Sequence, residues 1–321
     1  VSRQFVIGVD LGGTKIYTAL ATEDGGVLVE IKLPTGAGKG LAHVVDRIVE
    51  SVERVREAAA VPPEAVRVLA LGAPGPLDTA RGIIHFAPNL GWKNVPISRI
   101  LEERLSLPVF LDNDANLAAL GEHAFGAGRG EENMVYITVS TGIGGGLILG
   151  GKLYRGSSDG AGEVGHMTVF PGGPRCSCGN LGCLEAVASG TAIARKAGEL
   201  VAGGKGRGIL EAAGGDPGRI TAAVVAAAAS KGDPGAAAII GEAARFLGIG
   251  IANILNLLNP SLVVLGGGVM ADGGPVWENV HREVRTRALE AARIGARLAP
   301  AALGGRAGVM GAIALALGSE T

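Results

Sequence analysis

A chain of 321 residues, 47% of them hydrophobic, holds enough apolar material for two domains of ordinary size. A formal net charge of −1 with no basic block, and only 3% aromatic residues, argue against nucleic acid as a partner. No charged-then-apolar segment opens the chain and no apolar run approaches the ~20 residues that span a bilayer, so a cytoplasmic protein without a membrane partner is expected.

The pattern predicts a buried strand at Gln4–Asp10, a glycine turn at Leu11–Thr14, and strands at Lys15–Ala21 and Val27–Leu33 around the hairpin signal Asp24-Gly25-Gly26. Leu41, Val44, Val45, Ile48, Val49, Val52 and Val55 recur at helical spacing with charges opposite, which predicts an amphipathic helix. A strand at Val66–Gly72, a short helix at Ile97–Leu105 and a strand at Pro108–Leu111 follow. Strands alternating with helices indicate an α/β fold. Past a helix that begins near Asp114 and runs through Phe125, Asn133–Ser140 is a strand, Thr141–Gly146 a glycine turn and Leu147–Leu149 a strand. This copies the N-terminal order of strand, polar residue, glycine turn with a threonine, and strand, as if one unit were used twice. Helices are predicted at Leu184–Glu199, Ile220–Lys231, Ala236–Leu258, Val276–Ala292 and Arg306–Leu317, with a strand at Ser261–Leu265. Gly203–Gly218 reads as an exposed connection.

The segment from Glu163 to Glu185 carries the densest chemistry. Cys176, Cys178 and Cys183, all the cysteines of the chain, fall within eight positions, and His166 stands ten positions before the first. Three thiolates and an imidazole are the ligand set of a closed tetrahedral zinc site, which shapes a loop and leaves no open coordination position. The alternatives are a disulfide with a spare thiol, or three buried small apolar side chains. The odd count and the clustering favour zinc. A zinc-bound His166 keeps one ring nitrogen for a second partner. Glu163 and Glu185 bracket the loop, either as recognition groups for a polyhydroxylated molecule or as solvated loop charges.

Three glycine turns, each after a buried strand, form a second constellation: Gly12-Gly13 with Thr14 and Lys15, Thr141-Gly142 with Gly144, and Gly266-Gly267-Gly268. Clustered backbone N–H groups bind phosphate with little need of positive charge, and Asp10 is placed to hold Mg²⁺ through water. There is no Walker A sequence and no GxGxxG opening a helix. The two matching turns and the third suggest a nucleotide between two similar domains. Asp114, where a strand end meets a helix start, is a helix cap on position alone. The concentration of Asp112, Asn113, Asp114 and Asn116 exceeds what a cap needs and makes Asp114 a candidate base.

Asp10-Leu11-Gly12-Gly13-Thr14-Lys15, Asn113-Asp114-Ala115-Asn116, Ser140 through Gly146, Glu163-Val164-Gly165-His166, the cysteine motif ending in Glu185, and Leu265 through Gly268 together resemble the ROK family of sugar kinases and repressors. The resemblance runs from residue 5 to about 315. It implies an actin-like ATPase (ribonuclease H-like) fold, two α/β domains around a cleft. The smaller would be 1–113 with 304–321, and the larger 114–303 with the zinc loop and a helical part. It implies ATP with Mg²⁺ on the glycine turns, a hexose opposite, and Asp114 taking the proton of the sugar 6-hydroxyl. Asn89, Asn113, Asp114, Glu163, His166 and Glu185 would hold the sugar. A homodimer or larger homo-oligomer is implied as well. Within the family the chain is most similar to bacterial glucokinases. Ala188–Ile193 is also similar to what family fructokinases carry, so fructose, N-acetylmannosamine or another hexose is the alternative to glucose, and polyphosphate the alternative donor. Family repressors carry an added helix-turn-helix domain. An opening strand at Gln4 leaves no room for one, so a kinase is expected.

Overall fold

The computed structural model describes residues 5–270 and 274–318. Gln4, the expected start of the first strand, lies outside them, as do residues 319–321 of the expected first domain. The chain forms two compact units: Val1–Gly130 with Gly146–Gly162 and Gly305–Thr321, and Glu131–Gly145 with Glu163–Gly304.

The first unit begins with β1 (Phe5–Leu11), β2 (Lys15–Thr22) and β3 (Val27–Pro34), followed by α1 (Leu41–Ala58) and β4 (Val66–Ala73). The short strands β5 (Leu77–Asp78), β6 (Ile83–Ala87) and β7 (Trp92–Val95) make a separate small sheet. Then come α2 (Ile97–Leu105), β8 (Val109–Asn113) and α3 (Asp114–Phe125). The main sheet has the order β3-β2-β1-β4-β8, antiparallel through the hairpins and parallel from β1 to β8. In α1 the apolar stripe is buried as its spacing requires, with Val44, Val45, Ile48, Val49, Val52 and Val55 inward. Each such side chain contributes roughly 1.5–3 kcal/mol on burial. The sheet β5–β7 was not foreseen, because strands of two to five residues carry too little alternation to register.

In the remainder, β9 (Met134–Val139), β10 (Ile143–Leu149) and β11 (Lys152–Leu153) precede α4 (Leu184–Ala188), α5 (Gly190–Ala202), α6 (Arg207–Ala212), α7 (Ala222–Ser230) and α8 (Pro234–Leu258). After them come β12 (Leu262–Gly266), α9 (Pro275–Arg287), α10 (Glu290–Ile294), β13 (Arg297–Pro300) and α11 (Ala307–Gly318). The second sheet runs β11-β10-β9-β12-β13, the same plan as the first: consecutive strands to one side of the first strand, later parallel strands to the other. By contact, the end of β10 and all of β11 group with the first unit, as does α11. There α11 lies against β1 and α3, so close that Gly311 has no room for a side chain beside the Leu117 carbonyl.

Several expectations need correction. The predicted helix at 184–199 is two helices, because Ser189 is extended and its hydroxyl caps α5 at Ala192 N–H. The helix predicted at 276–292 breaks at Ala288 and Leu289. The connection 203–218 contains α6, anchored by the buried Ile209. Strand β13 was missed, its four residues falling between predicted helices in a stretch given no element. The helix α8 is long and apolar enough to cross a membrane, contrary to the sequence reading, but 67% of its apolar window is buried inside the protein. It packs against α4, α5, α7 and α9.

Candidate active site and metal loop

In the first unit the parallel strands bring the polar residues of three strand ends into one row. Asp10 on β1 stands in register with Gly72 on β4, and Gly72 with Asp112 on β8. Two strand spacings of about 4.8 Å put Asp10 and Asp112 roughly 10 Å apart on the carboxyl edge, where open α/β sheets bind ligands. The turn after β1 lies on that edge. It is closed by the Gly12 N–H donating to the Lys15 carbonyl (2.9 Å) and held by the Thr35 hydroxyl donating to the Gly12 carbonyl (2.7 Å). Thr14 and Lys15 are exposed there. Asn89 is beside the turn: a Cβ built on Gly13 would stand 3.2 Å from that of Asn89. Burial pushes the Asp10 carboxyl above its ordinary range, and the Lys15 ammonium offsets part of this.

The junction of β8 and α3 divides its labour among four residues. The N-cap is Asn113, whose side-chain oxygen accepts from Ala115 N–H (2.9 Å) and Asn116 N–H (3.2 Å). Capping, which position alone assigned to Asp114, therefore falls to its neighbour. Asp114 is the first residue of the helix and half-buried, with one oxygen 2.8 Å from Ala115 N. Asp112 is fully buried and accepts from Asn113 N–H (2.8 Å), from the Asn116 side chain (3.0 Å) and from Arg155 Nε (2.7 Å). Arg155 was not singled out from the sequence, where it is one arginine in a glycine-rich stretch.

The second unit gathers the other two glycine turns. Val139 C=O accepts from Val269 N–H (3.0 Å), which seats Gly266–Gly268 against the end of β9. Gly190 N–H donates to the Ser140 carbonyl (2.7 Å), and the Thr191 hydroxyl to the Thr141 carbonyl (2.8 Å). A cavity of about 390 Å³ opens here, lined by Thr141, Thr191, Ala194, Thr221, Gly268 and Val269 among others. The starts of α5 and α7 were not anticipated as part of it, since helix starts far apart in sequence carry no mark of meeting. One turn also needs correction: only Ser140–Gly142 bends, and Gly144 lies in β10. A Cβ built on Gly142 would stand 2.4 Å from a Glu185 carboxylate oxygen. That carboxylate accepts the Ile143 N–H (3.0 Å), so Glu185 braces the turn.

The cysteine loop is also in the second unit. His166, Cys176, Cys178 and Cys183 converge, their ligand atoms all within 4.8 Å of one another. The thiols are free. The Cys178–Cys183 sulfur pair and the Cys176 sulfur to His166 Nδ1 are each 3.7 Å apart. A tetrahedron of ~2.3 Å zinc–sulfur bonds has edges of about 3.8 Å, so the four donors fit zinc. Burial pushes the Cys183 thiol up to about 12, while the Asn180 N–H holds Cys178 below its usual range. Such a cluster ionises together only around a cation. With Nδ1 facing the thiols, His166 Nε2 faces the Glu163 carboxylate at 3.8 Å, so the ring presents one nitrogen to each side. Gly182, at φ +71°, has no room for a side chain: a Cβ built there would stand 1.7 Å from the Phe170 carbonyl oxygen. Phe170 then stacks on Phe246 of α8 (centroids 5.4 Å apart), which docks the loop on the core helix.

Two α/β units built on one strand plan, with glycine turns at strand ends, define the actin-like ATPase fold. The family model described as ROK family matches residues 6–319. A glucokinase of Halalkalibacterium halodurans is 39% identical over 97% of this chain and 94% of its own. Among solved structures, a ROK family glucokinase from Streptomyces griseus in complex with glucose and AMPPNP is 38% identical with a TM-score of 0.83, covering 97% of this chain and 99% of that one. A ROK hexokinase from Thermus thermophilus is 41% identical with a TM-score of 0.81, covering 97% of each chain. The chain belongs to the ROK family.

Proposed function

We propose that this protein transfers the γ-phosphoryl group of ATP to the 6-hydroxyl of a hexose, with glucose as its principal substrate. The observation that carries this is Asp114 at the first position of α3, on the carboxyl edge of the parallel strands β1, β4 and β8, with the cap supplied by Asn113. A carboxylate so placed can take the hydroxyl proton, and phosphoryl transfer asks little more of a base than orienting its nucleophile. Asn89, Asn113, Glu163, His166 and Glu185 are assigned to the sugar hydroxyls. Asp10, Gly12, Gly13, Thr14, Lys15, Thr141, Gly142, Gly144, Gly266, Gly267 and Gly268 are assigned to the nucleotide and its Mg²⁺, which neutralises phosphate charge when bound. His166, Cys176, Cys178 and Cys183 would hold zinc, which shapes the loop. Glucokinase relatives support glucose over other hexoses. ATP and a sugar phosphate suit a cytoplasmic enzyme, and we extend the proposal to a homodimer or larger homo-oligomer. A coupled ADP-release assay across a panel of hexoses should give the highest kcat/KM with glucose. No ADP release with any hexose would sink the kinase reading.

Glu185 gives a graded test. Glu185→Gln should weaken sugar binding by roughly 1–3 kcal/mol, the scale of a hydrogen bond to a charged group, and leave ATP KM within a few-fold. The new amide oxygen can still accept the Ile143 N–H, so the turn survives. Glu185→Ala removes that acceptor, and both KM values should rise. An unchanged sugar KM in both variants would take Glu185 out of the sugar site.

Asp10 tests a stability trade. Its folded-state pKa lies above the unfolded one, so the folded protein binds this proton more tightly. Stability falls as pH rises through the interval between the two values, and the full cost is present above the folded-state value. Asp10→Asn should therefore raise Tm near neutral pH while turnover drops. A lower Tm by scanning calorimetry would show that the charge is compensated without ligands.

A further inference from the structure

We propose that Arg155 is a positioning residue for Asp114: through the buried Asp112 carboxylate it holds the strand end from which the base projects. This rests on the reading of Asp114 as the base. The Asp112 side chain is wholly buried, and one of its oxygens takes both Nε and Nη2 of Arg155, each at 2.7 Å. The other oxygen takes the Asn113 N–H (2.8 Å) and the Asn116 side-chain amide (3.0 Å). These two partners bracket Asp114, one just before it and one in the first turn after it. The Asn116 side-chain oxygen is buried with no hydrogen-bond partner among the described residues, and its amide nitrogen is tied to Asp112.

Arg155 is itself held. The Ala161 N–H donates to its carbonyl (3.0 Å), and the Asp159 carboxylate on the same segment accepts the Thr79 N–H (2.9 Å). A buried ion pair is a poor source of stability, because desolvation consumes most of the attraction. What this pair supplies is orientation: a planar guanidinium anchors one carboxylate oxygen, and the second then sets the residues on either side of Asp114.

The test compares Arg155→Met, Arg155→Lys and the double variant Asp112→Asn/Arg155→Met with Asp114→Asn as reference. Steady-state kinetics and Tm are measured on each. In Arg155→Met and in the double variant kcat should fall on the order of 10–100-fold, the scale of a small misplacement of a reacting group. KM for glucose and for ATP should stay within about threefold, the mark of misaimed chemistry rather than lost binding. Lysine keeps the charge without the fork and should fall between. The double variant buries no unpaired carboxylate, so it decides the matter even where Arg155→Met folds poorly. Wild-type kcat in a folded double variant, with only Tm changed, would overturn the proposal, and so would raised KM at unchanged kcat. If Asp114→Asn is inactive while the Arg155 variants turn over normally, only the role of Arg155 fails. If Asp114→Asn itself keeps its turnover, the base assignment fails first.

Discussion

Asp114→Asn is expected to lower kcat by ~10²–10⁴-fold, the usual cost of losing a general base. An amide takes no proton at neutral pH, and the shape of the side chain is nearly unchanged. Glucose binding, followed by calorimetry, should stay within a few-fold. Tm should barely move, because the α3 cap is the Asn113 side chain, with its two bonds to Ala115 and Asn116 N–H. That assignment sharpens the test. Asparagine caps a helix about as well as aspartate, so had Asp114 been only a cap the change would have left both turnover and Tm nearly unchanged. A variant with near-normal turnover would end the assignment of Asp114 as the base.

Removing the metal should have the next largest effect. Elemental analysis is expected to find about one zinc per chain, and Cys183→Ser should lose it, since Cys183 is wholly buried and one of the four donors. Structural zinc sites contribute on the order of 10–16 kcal/mol to the fold of small domains, far more than the loop's own bonds. Without the metal, His166 and Glu163 lose their shared placement. Two hydrogen bonds to charged groups, at about 1.5–3 kcal/mol each, correspond to a rise in sugar KM of roughly 10²-fold or more. ATP binding should suffer less, because the cavity beside Thr141 and Gly268 is walled by α5 and α7 rather than by the loop. Metal-free protein with a normal sugar KM would end this assignment.

The amino-acid sequence by itself determined the parts whose cause is local. The inward stripe of α1 follows from the spacing of Val44 through Val55, and β1, β4 and β9 from short unbroken apolar runs. The cysteine–histidine cluster was legible because Cys176, Cys178 and Cys183 supply three of its four members within eight residues, and chelation chemistry needs no knowledge of the fold. Repetition of strand, glycine turn and strand was legible for the same reason, and both sheets share one plan. Tertiary structure alone decided what depends on partners distant in sequence. Ser140–Gly142 and Gly190–Thr191 meet only because α5 starts against the end of β9. Gly144 reads as turn but is strand, since β10 lies between β9 and β11 in the sheet. The choice between Asn113 and Asp114 as cap turned on side-chain rotation within one turn of helix. Arg155 left no mark in the sequence, because an isolated arginine looks alike whether it faces water or a buried aspartate. Burial of Asp112 by strand pairing makes the difference, and pairing is a property of the folded sheet.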